Sequence, residues 1–352
     1  MSYSVLSPNI IPAEMQNARR SNIGDGFILS RIINLLQPHE CRHILTSRKN
    51  LSDDDTRKIN TTKGLILAGT NQLTDIFSIV PGLTLKQLSR IEVPIIPFAI
   101  GINGLRKHNT KMSDLTKTML EEIHNRIKYS SWRCSVTIDY LAKHIPSIEH
   151  KLLMTGCPVI YDKNLLSGIP FSDKAGKIVV TVTERDDFWE REIKTIDFVT
   201  RRFKDSEKIL SLHQVFEGPT LWNFVRSFTG RRKIYRHKKK VMALRAYAKD
   251  KGFDIFVPGN VEECWEFYKK CDLHIGSRLH AHLFFLSQAK KSFLTYVDER
   301  MTGFSRDLGF PLCDYRSFDA YLGYDFEIYR ANSIRVHQAM QKFLTYLKEE
   351  IL

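Results

Sequence analysis

The sequence predicts an α/β protein made of two doubly wound, Rossmann-like domains facing a cleft. Three observations predict it. Short apolar runs alternate with longer amphipathic ones, the pattern of stacked βαβ units. Runs such as Leu65-Ile66-Leu67 and Ile178-Val179-Val180-Thr181-Val182 are nearly unbroken in apolar residues, as parallel strands covered on both faces require. An aperiodic stretch, 161–176, divides the 352 residues into two halves of similar kind.

In the first half the pattern places strands near 64–68, 93–100 and 152–155, and helices near 28–36 and 110–127. The stretch 161–176 carries Gly168, Pro170, Ser172 and Gly176 and reads as an interdomain linker. In the second half strands fall near 177–183, 208–212, 254–257, 274–277 and 292–297. Helices there fall near 238–251, 261–270, 278–289 and 299–308. A last helix begins near Asn332 or Ser333, either of which can cap it, and Val336, Met340, Phe343 and Leu347 follow helical spacing. The expected organisation is a first domain over 1–165, a second over 166–330 and a C-terminal helix over 331–352.

Composition narrows the class. The apolar content is 43% and the charged content 26%, ordinary values for a globular protein. No segment approaches the ~20 uninterrupted apolar residues of a membrane span. The best candidate, 93–102, contains Pro94 and Pro97, and the first 22 residues lack the order of a secretory signal. A cytoplasmic protein is expected. The six cysteines form no CxxC pair, so neither a zinc site nor a disulfide framework is expected, and no metal ligand set is read. The net charge is +14, part of it in Arg231-Arg232-Lys233-Ile234-Tyr235-Arg236-His237-Lys238-Lys239-Lys240. Such a run suits nucleic acid, an anionic membrane surface or a phosphorylated acceptor, and its plainer reading is a solvated loop and helix start. No zinc-finger, RRM or basic-zipper pattern accompanies it, which argues against nucleic acid.

The junction Cys271-Asp272-Leu273-His274-Ile275-Gly276-Ser277-Arg278-Leu279-His280-Ala281-His282 is the most informative stretch. A short buried strand runs through Ser277 into an apolar helix, setting Arg278 and His280 at a helix N-terminus and at the carboxyl end of a strand. Backbone N–H groups, the helix dipole and a guanidinium together suit a phosphate or a carboxylate. The plainer reading pairs Arg278 with an acid and packs His280 on the sheet. Three turns of small residues lie in the first half: Ser21-Asn22-Ile23-Gly24-Asp25-Gly26, with no strong strand ahead of it, Leu67-Ala68-Gly69-Thr70-Asn71 and Ile100-Gly101-Ile102-Asn103-Gly104. Each alone is an ordinary βα turn; three together read as a cleft edge.

Taken in order, these pieces resemble the polysaccharide pyruvyl transferase family. The resemblance runs through Asn22-Ile23-Gly24-Asp25, Leu65-Ile66-Leu67-Ala68-Gly69, Ile96-Pro97-Phe98-Ala99-Ile100-Gly101 and Trp132-Arg133-Cys134-Ser135-Val136-Thr137. It continues through Met154-Thr155-Gly156-Cys157-Pro158, Ser277-Arg278-Leu279-His280-Ala281 and Tyr296-Val297-Asp298-Glu299-Arg300, with Gly303-Phe304 and Asp307-Leu308-Gly309 behind. The chain departs from the family pattern at Thr70 and Asn71, where glycines are usual, at Cys134, where an acid is usual, and at Arg300, where a lysine is usual.

The resemblance implies a two-domain GT-B-like architecture, no organic cofactor, and transfer of the enolpyruvyl unit of phosphoenolpyruvate to a sugar as a ketal. It implies a donor side in the second domain, with Arg278, Leu279, Arg133 and Arg300 binding phosphoenolpyruvate and Arg133 reaching it across the cleft. Arginine clamps an oxyanion with two parallel hydrogen bonds, which lysine does not, and which arginine takes the phosphate and which the carboxylate stays open. His280 is the expected acid–base group, its pKa range suiting proton transfer near neutrality. Asn22, Gly24, Asp25 and the Gly69-Thr70-Asn71 turn form the expected acceptor side, where Asp25 either holds a sugar hydroxyl or caps a helix. His274 is read as structural, His282 as ambiguous, and His108 as a loop histidine in reach of the cleft. The expected partners are phosphoenolpyruvate and a glycan or lipid-linked sugar, with the basic run 231–240 offering contact with the inner face of the membrane. Two alternatives remain: a GT-B glycosyltransferase using a nucleotide sugar, and a basic binding protein for anionic polymers.

Overall fold

The computed structural model describes residues 1–8, 22–103, 111–183, 186–213 and 232–352; at 186, 232–239, 299 and 300 it gives the backbone alone. Ser21, Gly104, His108 and Arg231 therefore lie outside the described residues, as do the side chains of the rest of the basic run up to Lys239 and of Arg300.

The first lobe is a parallel sheet wrapped by helices. Its elements are β1 (Ser2–Ser7), α1 (Ile23–Leu35), β2 (Glu40–Thr46), α2 (Asp53–Asn60), β3 (Leu65–Ala68), α3 (Leu85–Ser89), β4 (Ile95–Phe98), α4 (Asp114–Asn125), β5 (Ser130–Trp132), α5 (Ser135–His144) and β6 (Leu152–Met154). The strand order is β2-β1-β3-β4, and a parallel bridge from Ile100 to Trp132 joins the β5-β6 pair beyond β4. β3 and β4 are buried along their whole length, which accounts for their unbroken apolar sequence.

After α6 (Lys163–Leu166), the second lobe adds β7 (Lys177–Thr181), α7 (Trp189–Arg202), β8 (Glu207–Ser211), α8 (Arg232–Asp250), β9 (Asp254–Phe256), α9 (Val261–Lys269), β10 (Leu273–Gly276), α10 (Leu279–Ser287), β11 (Ser292–Thr295), α11 (Glu299–Leu308) and β12 (Leu312–Cys313). Its six strands lie in the order β12-β11-β10-β7-β8-β9, all parallel. Counted within the lobe, this is the doubly wound order in which winding reverses between the first and fourth strands, here β7 and β10. Ligands of open α/β sheets bind beyond the carboxyl ends of the strands at that reversal. In the first lobe the reversal lies between β1 and β3.

Several sequence expectations need correction. A strand does precede the turn at 21–26: β1 reads Ser2-Tyr3-Ser4-Val5-Leu6-Ser7, and its serines break the apolar signal. Ser4 is nevertheless buried, its Oγ 3.2 Å from Thr62 Oγ1. Helix α1 starts at Ile23, not near 28, because Asn22 caps it by accepting the Gly24 amide at 3.1 Å. The helix expected at 110–127 is the shorter α4, started by Ser113.

The final helix, α12 (Glu327–Tyr346), begins before Asn332 and Ser333, so neither caps it and Ser333 is buried mid-helix. It crosses back to the first lobe, where Phe343 meets Phe98 edge-on at 5.1 Å and Tyr346 Oη accepts the Lys128 amide at 2.9 Å. The linker at 161–176 is not a loose connection. Asp162 caps α6 and pairs with Arg31 of α1 at 2.8 Å, and Arg330 of α12 donates to the carbonyls of Leu165 and Ile169.

Gly276 closes β10 with φ 149°, and a Cβ there would stand 2.0 Å from the Thr181 carbonyl oxygen of β7. Gly276→Ala is expected to destabilise the protein by more than about 3 kcal/mol in a urea titration. Gly168→Ala, at a φ of 78° with open space around it, should cost only about 1 kcal/mol. Buried histidines predict a second effect. Burial lowers the pKa of His274 to about 3 and of His124 to about 4, against an unfolded value near 6.5. The unfolded chain binds protons that these rings refuse in the folded state. Stability is therefore held above about pH 6.5 and falls progressively as the pH drops toward 4. Urea midpoints measured across that range should fall with acidity, and His274→Gln should flatten the slope.

Candidate active site

The carboxyl end of β10 lies at the strand-order reversal and is tied to β7. Ser277 N donates to Thr181 O at 3.0 Å and Arg278 N to Thr181 Oγ1 at 3.2 Å. Arg278 Nε donates to Val182 O at 2.8 Å, which fixes the half-buried guanidinium beside the end of β7. Arg278 is also the N-cap residue of α10, and its side chain makes no capping bond. A cation and the positive end of a helix thus share one spot, the arrangement that suits an anion.

His280, in the first turn of α10, meets the other lobe. A Cβ on Gly24 would stand 2.8 Å from His280 Nδ1 and 3.3 Å from Asn22 Oδ1. The imidazole of the second lobe therefore rests on the first turn of α1, at a contact only glycine permits. This turn also contains the half-buried Asp25. Ile23 N donates to His213 O at 3.1 Å, and Phe27 packs its ring 5.6 Å from Trp265 and 5.8 Å from Phe284. Asn22, Gly24, Asp25 and His280 are thus brought together although 255 or more positions separate the first three from the last.

Arg133 follows β5 at the carboxyl edge of the first sheet. Its Nη1 donates to Asn71 Oδ1 at 2.8 Å and its Nε to Ala99 O at 3.3 Å, and the guanidinium lies 6.0 Å from the Phe304 ring of α11. At 2% exposure it is a packed strut joining the turns after β3 and β4, not an arm extended across the cleft. Its contact with Phe304 sets it at the boundary of the lobes. Gly69 serves the same packing, since a Cβ there would lie 2.2 Å from Ala99 O. Asn71, not the glycine, is the polar group that the turn contributes. The backbone of Arg300 lies in the first turns of α11.

The neighbouring histidines separate by environment. His274 is buried between Thr181 Oγ1 at 2.7 Å and Ser292 Oγ at 2.6 Å. His282, ambiguous in the sequence, is buried against Phe310 at 4.4 Å with Nδ1 2.8 Å from Ser292 Oγ, and burial holds it neutral. Two further residues escaped the sequence reading. His213 lies just beyond β8, with Nε2 2.7 Å from Tyr268 Oη; burial first, then the Arg278 charge, holds it neutral. Its signal was a histidine closing the run Ile209-Leu210-Ser211-Leu212, beyond a strand's carboxyl end like Arg278 and Arg133. Glu192 of α7 is buried, accepts the Thr183 amide at 3.3 Å, and has its carboxyl pushed up by burial despite Arg191 at 2.5 Å. The signal for Glu192 is the helical spacing of Trp189, Ile193, Ile196 and Val199, which marks α7 as an amphipathic helix with an acid on its buried side.

Among the described residues no group of three or more His, Cys, Asp or Glu side chains is placed to hold a metal ion, and no helix is long and apolar enough to cross a membrane. Solved structures similar in fold include the UDP-GlcNAc 2-epimerase of Methanocaldococcus jannaschii in complex with UDP-GlcNAc and UDP. It aligns with a TM-score of 0.51 at 11% identity over 98% of this chain and 100% of that one. A putative UDP-N-acetylglucosamine 2-epimerase of Listeria monocytogenes aligns with a TM-score of 0.54 at 9% identity, over 99% and 95%. At such identities the likeness shows the fold alone: two Rossmann-like lobes in the GT-B arrangement. No curated protein sequence matches the chain. The family model described as polysaccharide pyruvyl transferase matches residues 22–299, from the cap of α1 to the start of α11 and across both lobes of the cleft, and the chain belongs to that family.

Proposed function

We propose that the protein transfers the enolpyruvyl unit of phosphoenolpyruvate to two hydroxyls of one sugar, leaving a pyruvate ketal and releasing phosphate. The observation that carries this reading is the Arg278-Leu279-His280 turn at the strand-order reversal, with its imidazole seated on Gly24 of the facing lobe. The donor lies in the second lobe, against Arg278 and Leu279, with Arg300 as a further cation and Arg133 adding its charge from within the packed edge of the facing lobe. The acceptor, a glycan or a lipid-linked sugar, lies against Asn22, Gly24, Asp25 and Asn71. We place the reaction in the cytoplasm, with the basic run 231–240 giving contact with an anionic membrane surface when the acceptor is lipid-linked.

Phosphoenolpyruvate brings about three negative charges out of water, and fixed guanidinium groups offset that cost. His280 takes the proton of the attacking hydroxyl and delivers one to the methylene carbon as the first C–O bond forms at the neighbouring carbon. The phosphate ester bond then breaks, and the second hydroxyl adds to the same carbon. One hydroxyl proton ends on the new methyl group and the other leaves with phosphate. His280 is the histidine suited to this work, since His213, His274 and His282 are held neutral by burial.

Incubation with labelled phosphoenolpyruvate and sugar acceptors should give a pyruvyl mass gain on the sugar and an equal amount of phosphate. His280→Ala should lower kcat by roughly 10²–10⁴ while retaining donor binding. Arg278→Lys should weaken donor binding by about tenfold despite keeping the charge. Gly24→Ala should lower kcat without touching a reacting group, because the new methyl displaces the imidazole. In a thermal-shift assay phosphoenolpyruvate should raise Tm and uridine diphosphate should not. The reverse pattern, or full turnover in both the His280 and Arg278 variants, rejects the reading.

A further inference from the structure

Helix α5 follows Arg133 after one residue, and its N-cap, Cys134, makes no side-chain cap. The cap comes instead from the other lobe. Asp307 of α11 accepts the Ser135 amide at 2.7 Å through Oδ2 and the Ser135 hydroxyl at 2.5 Å through Oδ1. A carboxylate is favoured at a helix N-terminus, where free amides and the dipole meet it. Arg306 supports the contact: it donates to Ser135 Oγ, and lies 3.6 Å from Asp307 and 3.8 Å from Asp139. Gly303, one turn earlier on α11, brings the helices together, since a Cβ there would lie 3.4 Å from Val136 Cγ2 and 3.5 Å from Cys134 Sγ. Phe304, between these contacts, faces the Arg133 guanidinium at 6.0 Å.

We infer that Asp307 is an interlobe positioning residue, which caps the first lobe's α5 from the second lobe and thereby sets Arg133 against the donor site. The inference deepens the proposed pyruvyl transfer and rests on it for its kinetic consequence, but the latch itself is a property of the fold. With 9% of its surface exposed, Asp307 touches neither reacting group and acts through the backbone that follows Arg133. It joins the lobes at a place separate from the contact of Gly24 with His280. The lobes thus meet beside Arg133 through this latch as well as beside His280 through Gly24.

The test uses the full chain and a covalent substitute for the latch. The Cβ position of Gly303 lies 3.8 Å from Cys134 Cβ, the mean separation in disulfides, and meets only ordinary contacts. Asp307→Ala should speed hydrogen exchange at Ser135 and the next amides of α5. It should also lower kcat/KM for phosphoenolpyruvate on the order of 10- to 100-fold, as a misplaced binding group does. Adding Gly303→Cys and oxidising it to Cys134 with diamide should restore both, and reduction should abolish the rescue. Gly303→Cys alone should stay active in either redox state. Ser135→Ala, which removes one of the two hydrogen bonds, should show a smaller loss with the same rescue, and serves where Asp307→Ala does not fold. Unchanged exchange at Ser135 in Asp307→Ala, or a kinetic loss that the oxidised pair leaves in place, overturns the inference. Should the wild type transfer no pyruvyl group, the exchange data still decide the latch, so the two failures are distinguishable.

Discussion

The cleft depends on helix α1, which belongs to the first lobe by sequence and to both lobes by packing. Its first amide is bound by the His213 carbonyl, its second residue is the glycine that admits His280, and its Phe27 enters the aromatic cluster of α9 and α10. A ring cluster of this kind buries several hundred square ångströms of apolar surface, worth several kcal/mol at about 25 cal/mol per Å². A helix anchored so firmly does not leave with its own sheet. The distance between the Asn22–Asp25 turn and the imidazole is therefore set by core packing, and the polar groups at the start of α1 inherit that rigidity.

The positive balance of the chain has a partly structural account. Lysines at the starts of strands close the carbonyl ends of preceding helices. Lys151 Nζ donates to His124 O at 2.6 Å and Ile127 O at 3.1 Å below α4. Lys208 binds Ser206 O at 2.9 Å after α7, and Lys290 binds the carbonyls of Lys269 and Cys271 at 2.6 Å after α9. Each cation sits where the helix dipole is negative and a carbonyl needs a donor. Net charge counted along a sequence includes such groups, and so overstates the charge offered to a partner.

The central strands of the second lobe were legible because they are buried on both faces, which leaves an unbroken apolar run bounded by polar turns. The junction at Arg278 was legible for the same reason: β10 ends abruptly at Gly276 and the helix begins within three residues. β1 was not legible, because hydrogen bonding lets serines occupy buried strand positions. β5 and β12, of three and two residues, are too short for any period. The start of α12 was misplaced because polar residues such as Ser333 lie inside it, where packing against the linker outweighs the local preference for a cap. Arg133 was legible as an important residue but not as a buried one. Its surroundings come from Asn71 and Ala99 of its own lobe and Phe304 of the other, segments far apart in sequence that only the folded chain assembles.

Burial also sets the charge state of the histidines that surround the Arg278 turn. His274, His282 and His213 lie within the same few turns of structure as His280, and an unshielded imidazole titrates near pH 6.5. Were such rings to charge together, they would repel one another and the Arg278 guanidinium beside them. Burial prevents this by making the charged form of three of them costly, each ring hydrogen-bonded to a hydroxyl that serves a neutral imidazole well. His280 differs in its surroundings, for its imidazole is only partly buried and rests on Gly24 of the facing lobe. The apolar interior of the second lobe thus does more than stabilise the sheet: it keeps His213, His274 and His282 uncharged in the neighbourhood of Arg278.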